Sequence, residues 1–261
     1  MRWLIPPRPR RFKGTLSNPR KRMLIDLHVH SYLSRDCQLD PRAVLSRAEG
    51  FGLDGVAFTE TNTQDGCDEL FDLQRSSKLR IFVGLELATD KGQYLCFFEK
   101  PERAPEPVQL WGSNREKPWS ADECLPRLAS LGAAVVAARP FDREFPTPAG
   151  DYVKSLKLLS AVEVYNPKVR PGANELAIEA AAQLKLPGVG GSDTRSSLDE
   201  LGYAATLFKK PVASQAGLVA ALREGAFHAV QMGELPHLRR PGEARTEEAQ
   251  ARKKKKRRWP R

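Results

Sequence analysis

The sequence predicts an α/β fold on a parallel sheet, open or closed into a barrel. Two observations carry this. Short apolar runs alternate along the chain with amphipathic stretches of helical period, the pattern that feeds strands into a parallel sheet. The 261 residues also match the size at which a single α/β barrel closes around one core, so one domain is expected rather than two.

The elements follow in order. Leu24 to Val29 reads as a buried strand, and Pro41 to Phe51 as a helix with Asp40 as its N-cap. Gly55 to Thr59 is a second strand, and Leu79 to Leu87 and Gln93 to Phe98 are two more. Lys100 to Trp119 carries four prolines and no clear period, which predicts a surface loop near the site, with the character of a lid. Ser120 can cap a helix over Ala121 to Leu131, followed by a strand over Ala133 to Ala138. The Ala-rich stretch Ala173 to Leu184 reads as a helix between the strands Val162 to Tyr165 and Leu186 to Val189. Ser214 can cap a last helix ending near Gly225.

Charge divides the chain into three parts. Residues 1–22 hold eight Lys or Arg and no acid, and residues 239–261 hold eleven against three Glu. The stretch between them has 23 basic and 29 acidic residues, so the +10 net charge belongs to the ends. The expected organisation is a basic Pro/Arg-rich arm over 1–22, a folded barrel over 23–236 and a basic, disordered tail over 237–261. The run Lys253 to Arg258, followed by Trp259, suits contact with nucleic-acid phosphates and a stacked base, independent of sequence and sensitive to salt.

Cys37, Cys67, Cys96 and Cys124 stand about thirty residues apart without a CxxC pair, which indicates neither a zinc ribbon nor a disulfide framework. Free thiols in a reducing cytoplasm fit that spacing. The first residues lack an apolar stretch of signal-peptide length, and no run approaches the twenty apolar residues of a membrane span. A cytoplasmic protein without membrane attachment is expected.

Polar residues of ligand type recur where the predicted strands end: His28 and His30, then Asp36, Glu60, Glu86, Arg139, Glu163 with Asn166, and Asp193. In a parallel sheet those ends meet on one face, where catalytic groups collect. A His-x-His on a strand puts both rings on one side, because side chains alternate with period two. A lone pair of this kind is more often two ordinary histidines. Here it holds half of the chain's four, and acids follow at later strand ends. With Glu86 and Asp193 it makes a mixed nitrogen and oxygen donor set suited to zinc, manganese or iron. His228 reads as a strand residue beside the core and His237 as part of the tail boundary, neither a ligand.

Six segments together resemble the PHP (polymerase and histidinol phosphatase) domain family: Asp26 to Ser31, Phe58 to Asn62, Gly84 to Glu86, Ala138 to Phe141, Glu163 to Asn166 and Gly191 to Arg195. They occur in family order over roughly Met23 to Val230. The resemblance implies a distorted (β/α)7 barrel with a metal cluster at the strand C-termini and phosphoester hydrolysis as the usual activity. It also implies that His28, His30, Glu86 and Asp193 form one ion site with its ligand types retained. Where the family has further histidines, this chain has Thr61, Arg139 and Arg195, so the other ion positions lose their imidazoles and at most one divalent ion is expected.

An Arg cannot ligate a metal, because its guanidinium stays protonated and only donates. Two outcomes are open. Arg139 and Arg195 could replace the missing ions by pairing with Asp36, Glu60 or Glu163 in an inert polar core. Alternatively, they could face the cavity with Asp36 in its wall and clamp a phosphate bidentately. Loss of bridging ligands removes several of the roughly 8–23 kcal/mol that an enzyme supplies. The expected function is therefore weak, altered or absent hydrolysis of a phosphorylated small molecule or nucleotide. The alternative is a non-catalytic module that binds a phosphate ligand or partner.

Overall fold

The computed structural model describes residues 22–113 and 117–233. Among the described residues nine strands form one sheet: β1 (Met23–Val29), β2 (Gly55–Thr61), β3 (Arg80–Thr89), β4 (Gly92–Phe97), β5 (Ala134–Ala138), β6 (Leu159–Tyr165), β7 (Gly188–Gly190), β8 (Ala204–Phe208) and β9 (Phe227–Gln231). Their order is β7-β6-β5-β4-β3-β2-β1-β8-β9. Six α-helices among the described residues accompany them: α1 (Pro41–Phe51), α2 (Cys67–Leu73), α3 (Pro107–Trp111), α4 (Ala121–Ser130), α5 (Pro171–Leu184) and α6 (Gln215–Glu224).

The sheet is mixed rather than wholly parallel. Pairing is antiparallel only on the two sides of β4 and of β8, so seven strands share one direction and those two are reversed. The reversal at β4 follows from a tight hairpin at Asp90 and Lys91, where Gly92 takes φ 104°. Alternating hydrophobicity shows a buried strand but not its direction, which is why the expectation of a parallel sheet missed the two reversed strands. The sheet ends approach each other: β7 contacts β9, and the Thr206 hydroxyl of β8 bonds both Gly190 N and Gly190 O of β7, each at 3.0 Å. The result is a nearly closed barrel.

One core cluster fills that barrel, with Phe82, Leu95, Phe97, Val136, Ala161 and Val189 packed against Leu218, Val219 and Leu222 of α6. Period two then fixes what lies above it. Glu86 shares a face with Phe82, Glu163 with Ala161, and Gln93 with Leu95 on the reversed β4. An apolar floor thus carries a polar layer at the strand ends.

Local signals set the helix limits. Asp40 accepts from Arg42 N at 2.8 Å and Pro41 opens α1, while Gly52 at φ 84° closes it. Ser214 accepts from Gly217 N at 3.1 Å at the start of α6. Ser120 precedes α4 as expected, but without a side-chain cap bond. The Lys100 to Trp119 stretch contains the short α3, and Glu106 ties it to the loop after β2 by accepting from Thr63 Oγ1 and Gln64 N, each at 2.9 Å. The four cysteines are buried free thiols. No helix among the described residues is long and apolar enough to cross a membrane. The predicted arm over 1–22 lies almost wholly outside the described residues, and the basic tail and His237 lie outside them.

Candidate metal centre

The end of β1, the strands β2, β3 and β6 (Glu60, Glu86 and Glu163) and the loops after β5 and β7 (Arg139 and Asp193) bring the predicted residues together. His28, His30, Glu86, Glu163 and Asp193 are all within 1% of full burial. His28 Nε2 lies 3.1 Å from Glu86 Oε1 and 3.6 Å from Asp193 Oδ1, and His30 Nε2 lies 3.4 Å from Asp193 Oδ1 and 3.6 Å from Glu86 Oε2. Four ligands at bonds of about 2.1 Å around a tetrahedral ion stand about 3.4 Å apart, so these separations match a small first-row cation. Ligand atoms of His28, His30 and Asp193 gather closely enough to hold one ion. Asp193 Oδ1 faces that point as a buried oxygen without a well-aligned hydrogen bond, its nearest nitrogens being His30 Nε2 at 3.4 Å and His28 Nε2 and Arg195 Nη2 at 3.6 Å. Such an atom costs free energy unless something else satisfies it.

Glu163 sits behind His28. Its Oε1 is 2.9 Å from His28 Nδ1, and its Oε2 accepts from Arg139 N at 3.0 Å and Asn166 Nδ2 at 3.2 Å. Burial alone would lower His28's pKa. The charges of Glu163 and Asp193, with hydrogen bonds to Glu163 and Glu86, outweigh it and push His28 up to about 10. Glu86 moves the other way: burial works against its charge, but His28, His30 and Arg195 hold it well below the usual carboxylate range. Asp193 is likewise depressed against its own burial, chiefly by Arg139 and His28.

Both arginines enter this layer. Arg139 Nη1 is 2.7 Å from Asp193 Oδ2, and its Nη2 lies 3.5 Å from Glu86 Oε1 and bonds Gln93 Oε1. Arg195 Nη2 is 2.7 Å from both His30 Nε2 and Glu86 Oε2, while Nη1 donates to Thr61 Oγ1 at 2.8 Å and pairs with Asp36. Burial opposes both charges, yet the surrounding carboxylates raise both pKa values above the usual Arg range. Arg139 and Asp193 hold φ of 42° and 50°, a left-handed backbone costly for residues with a Cβ.

Asp36 is half exposed at the rim, where Arg195 reaches it. Glu60 does not join the donor set. Its carboxylate accepts from Ser31 N, from Ser31 Oγ at 2.6 Å and from Ser34 Oγ at 2.5 Å, so neighbouring loop residues satisfy it. Asn166 caps the turn after β6, with its Oδ1 accepting from Lys168 N at 3.0 Å. His228 lies in β9, exposed and away from the mouth. Sequence reasoning missed Gln93 and Ser34, and also Asp26, whose Oδ1 accepts from His28 N and Ser192 N. Polar residues inside otherwise apolar strand runs were the available signal for Asp26 and Gln93.

A PHP domain family model matches residues 26–140, and a PHP-associated model matches residues 171–227. An uncharacterized protein of Methanocaldococcus jannaschii, MJ1587, is 27% identical over 167 residues, spanning 60% of this chain and 90% of that one. PsfC from Pseudomonas syringae shares the fold with a TM-score of 0.60 at 20% identity, covering 81% of this chain and 92% of that chain. A two-domain protein containing a predicted PHP-like metal-dependent phosphoesterase, from Bacteroides vulgatus, gives 0.63 at 17%, covering 82% and 67%. The lesion-specific endonuclease PfuEndoQ of Pyrococcus furiosus gives 0.61 at 18%, covering 80% and 57%. With both family models matching in order on one barrel, and a His/Asp group where their strand ends converge, this chain carries a PHP domain over residues 26–140 and a PHP-associated region over residues 171–227.

Proposed function

We propose that the barrel mouth binds the phosphoester of a small molecule or nucleotide around one divalent ion, held by His28, His30, Glu86 and Asp193. Arg139 and Arg195 act as guanidinium partners of the phosphoryl oxygens, and hydrolysis is weak or altered relative to a centre with several ions. The observation that carries this is Asp193 Oδ1, without a well-aligned hydrogen bond and buried 3.4 Å from His30 Nε2 and 3.6 Å from His28 Nε2. The mixed donors suit zinc, manganese or iron. When bound, the ion supplies Lewis acidity and a water of lowered pKa.

The chain's own residues do the rest. Glu163 fixes the plane of the His28 ring through Nδ1, so that Nε2 points at the shared centre. Glu60, saturated by Ser31 and Ser34, has no free lone pair directed at a substrate. Asp36, half exposed at the rim, holds the Nη1 end of Arg195. The two guanidinium groups supply permanent positive charge without a second ion.

The test is metal analysis of purified protein, with a screen of nucleotide and sugar phosphates. Bound or restorable ion and turnover lost in His28→Ala support the reading; absence of any restorable ion ends it. A second reading, a non-catalytic scaffold, draws support from Arg195 Nη2 at 2.7 Å from both His30 Nε2 and Glu86 Oε2. Robust turnover sensitive to His28→Ala would exclude it. The basic run Lys253 to Arg258 beside Trp259 adds a proposed association with nucleic-acid phosphates.

A further inference from the structure

Arg195 and a metal ion require the same lone pair. An imidazole nitrogen that accepts a hydrogen bond has one lone pair, and a guanidinium can only donate. Arg195 Nη2 lies 2.7 Å from His30 Nε2, so the lone pair aimed at the centre is already engaged. The same Nη2 reaches Glu86 Oε2 at 2.7 Å and stands 3.6 Å from Asp193 Oδ1, three of the four donors in the set. His30 can therefore hold Arg195 or an ion, but not both.

Both arginines are anchored through their backbone N, Arg139 to Glu163 at 3.0 Å and Arg195 to Glu200 at 2.8 Å, but they cover different donors. The Arg139 guanidinium bonds Asp193, Glu86 and Gln93, whereas it is Arg195 that reaches a histidine ring nitrogen. Arg195 also lies along a path to solvent. Its Nη1 pairs with Asp36, whose side chain is 51% exposed, and the bonds that cover His30 and Glu86 both come from Nη2. An anion arriving from solvent meets Arg195 on that side, and a guanidinium binds phosphate oxygens bidentately.

Resting on the single-ion reading above, we infer that Arg195 is a displaceable plug, withdrawn by the incoming phosphoryl group, so that phosphate and metal bind cooperatively. Without a phosphate ligand, Arg195 shields Glu86 and His30 and keeps ion affinity low. With one, the guanidinium turns to the phosphoryl oxygens and frees His30 Nε2. By linkage, each ligand must then tighten the other by the same factor.

The experiment uses the full chain, Mn²⁺ followed by the electron paramagnetic resonance of the free ion, and methylphosphonate as a non-hydrolysable phosphoryl probe. Methylphosphonate is expected to tighten wild-type Mn²⁺ binding by about fivefold or more, within the usual range of coupling between sites. Arg195→Gln is expected to bind Mn²⁺ more tightly than wild type without the probe, and to gain less than about twofold from it. If methylphosphonate leaves wild-type affinity unchanged, or Arg195→Gln binds no more tightly, the plug is overturned, while Mn²⁺ binding abolished by His28→Ala leaves the single-ion reading standing. If neither wild type nor Arg195→Gln binds Mn²⁺, both fail. Should Arg195→Gln not fold, the methylphosphonate effect on wild type decides alone.

Discussion

His28 Nδ1 stands 2.9 Å from Glu163 Oε1, with both side chains fully buried. The other ring nitrogen faces Glu86 at 3.1 Å, so in the metal-free state the imidazole lies between two carboxylates and carries a proton on each side. A proton on Nε2 occupies the direction an ion would take.

This makes metal-free stability pH dependent with a defined sign. The pKa of His28 is about 10 in the fold against 6.5 for an ordinary His, so its contribution is fully present below pH 6.5 and is lost as pH rises to about 10. Asp26, pushed up to about 7 mainly by burial, acts in the same direction but between 3.8 and about 7. Urea midpoints in chelator should therefore fall between pH 7 and 10 for wild type. In His28→Gln that slope should be largely absent; an equal slope would refute the assignment.

Glu163→Gln should weaken metal binding about 10–100-fold with the fold intact, because the carboxylate that orients and polarises the His28 ring becomes an amide. Isothermal titration with zinc, alongside circular dichroism, separates this from simple unfolding.

Gly191→Ala should destabilise the protein by about 1–3 kcal/mol. A Cβ there would lie 2.4 Å from His28 Cβ and 2.9 Å from Glu163 Oε1, with both neighbours fixed in buried strands. Chemical denaturation gives the loss, and unchanged stability would mean that the β1 and β7 strands part more readily than their packing indicates.

Thr206→Val keeps the shape but removes the hydroxyl that bonds Gly190 N and O across the barrel seam. Two buried backbone groups would lose a partner, a cost of about 1–3 kcal/mol or more. Hydrogen exchange at Gly190 should speed up before that of the β2–β3 pair.

Deleting residues 245–261 removes the Lys253 to Arg258 run, and should abolish most salt-sensitive retention on DNA or RNA columns. Retention that persists unchanged would place any polyanion contact elsewhere.

Strands and helices were legible because each depends on local pattern. The apolar run of β1, the Asp40–Pro41 start of α1 and the Ser214 cap of α6 are written in adjacent residues. The seven-residue α2 was missed because it is too short to show a period and its N-cap, Gly66, makes no side-chain bond. The strand β8 was missed as well; its Ala-Ala-Thr-Leu-Phe run carries only a weak strand signal.

By itself the sequence determined the alternation of elements, the family motifs in order, and the side-by-side placement of His28 and His30 at a strand end. It left open whether Arg139 and Arg195 form an inert core or face a ligand. Only the tertiary structure decided that Arg195 lands on His30, 165 positions away, while Glu60 is satisfied by Ser31 and Ser34 and Arg139 is fixed by Glu163. The physical reason is that period and capping act over a few residues, whereas a guanidinium's partner depends on which strand ends the closed barrel brings within reach of its long side chain.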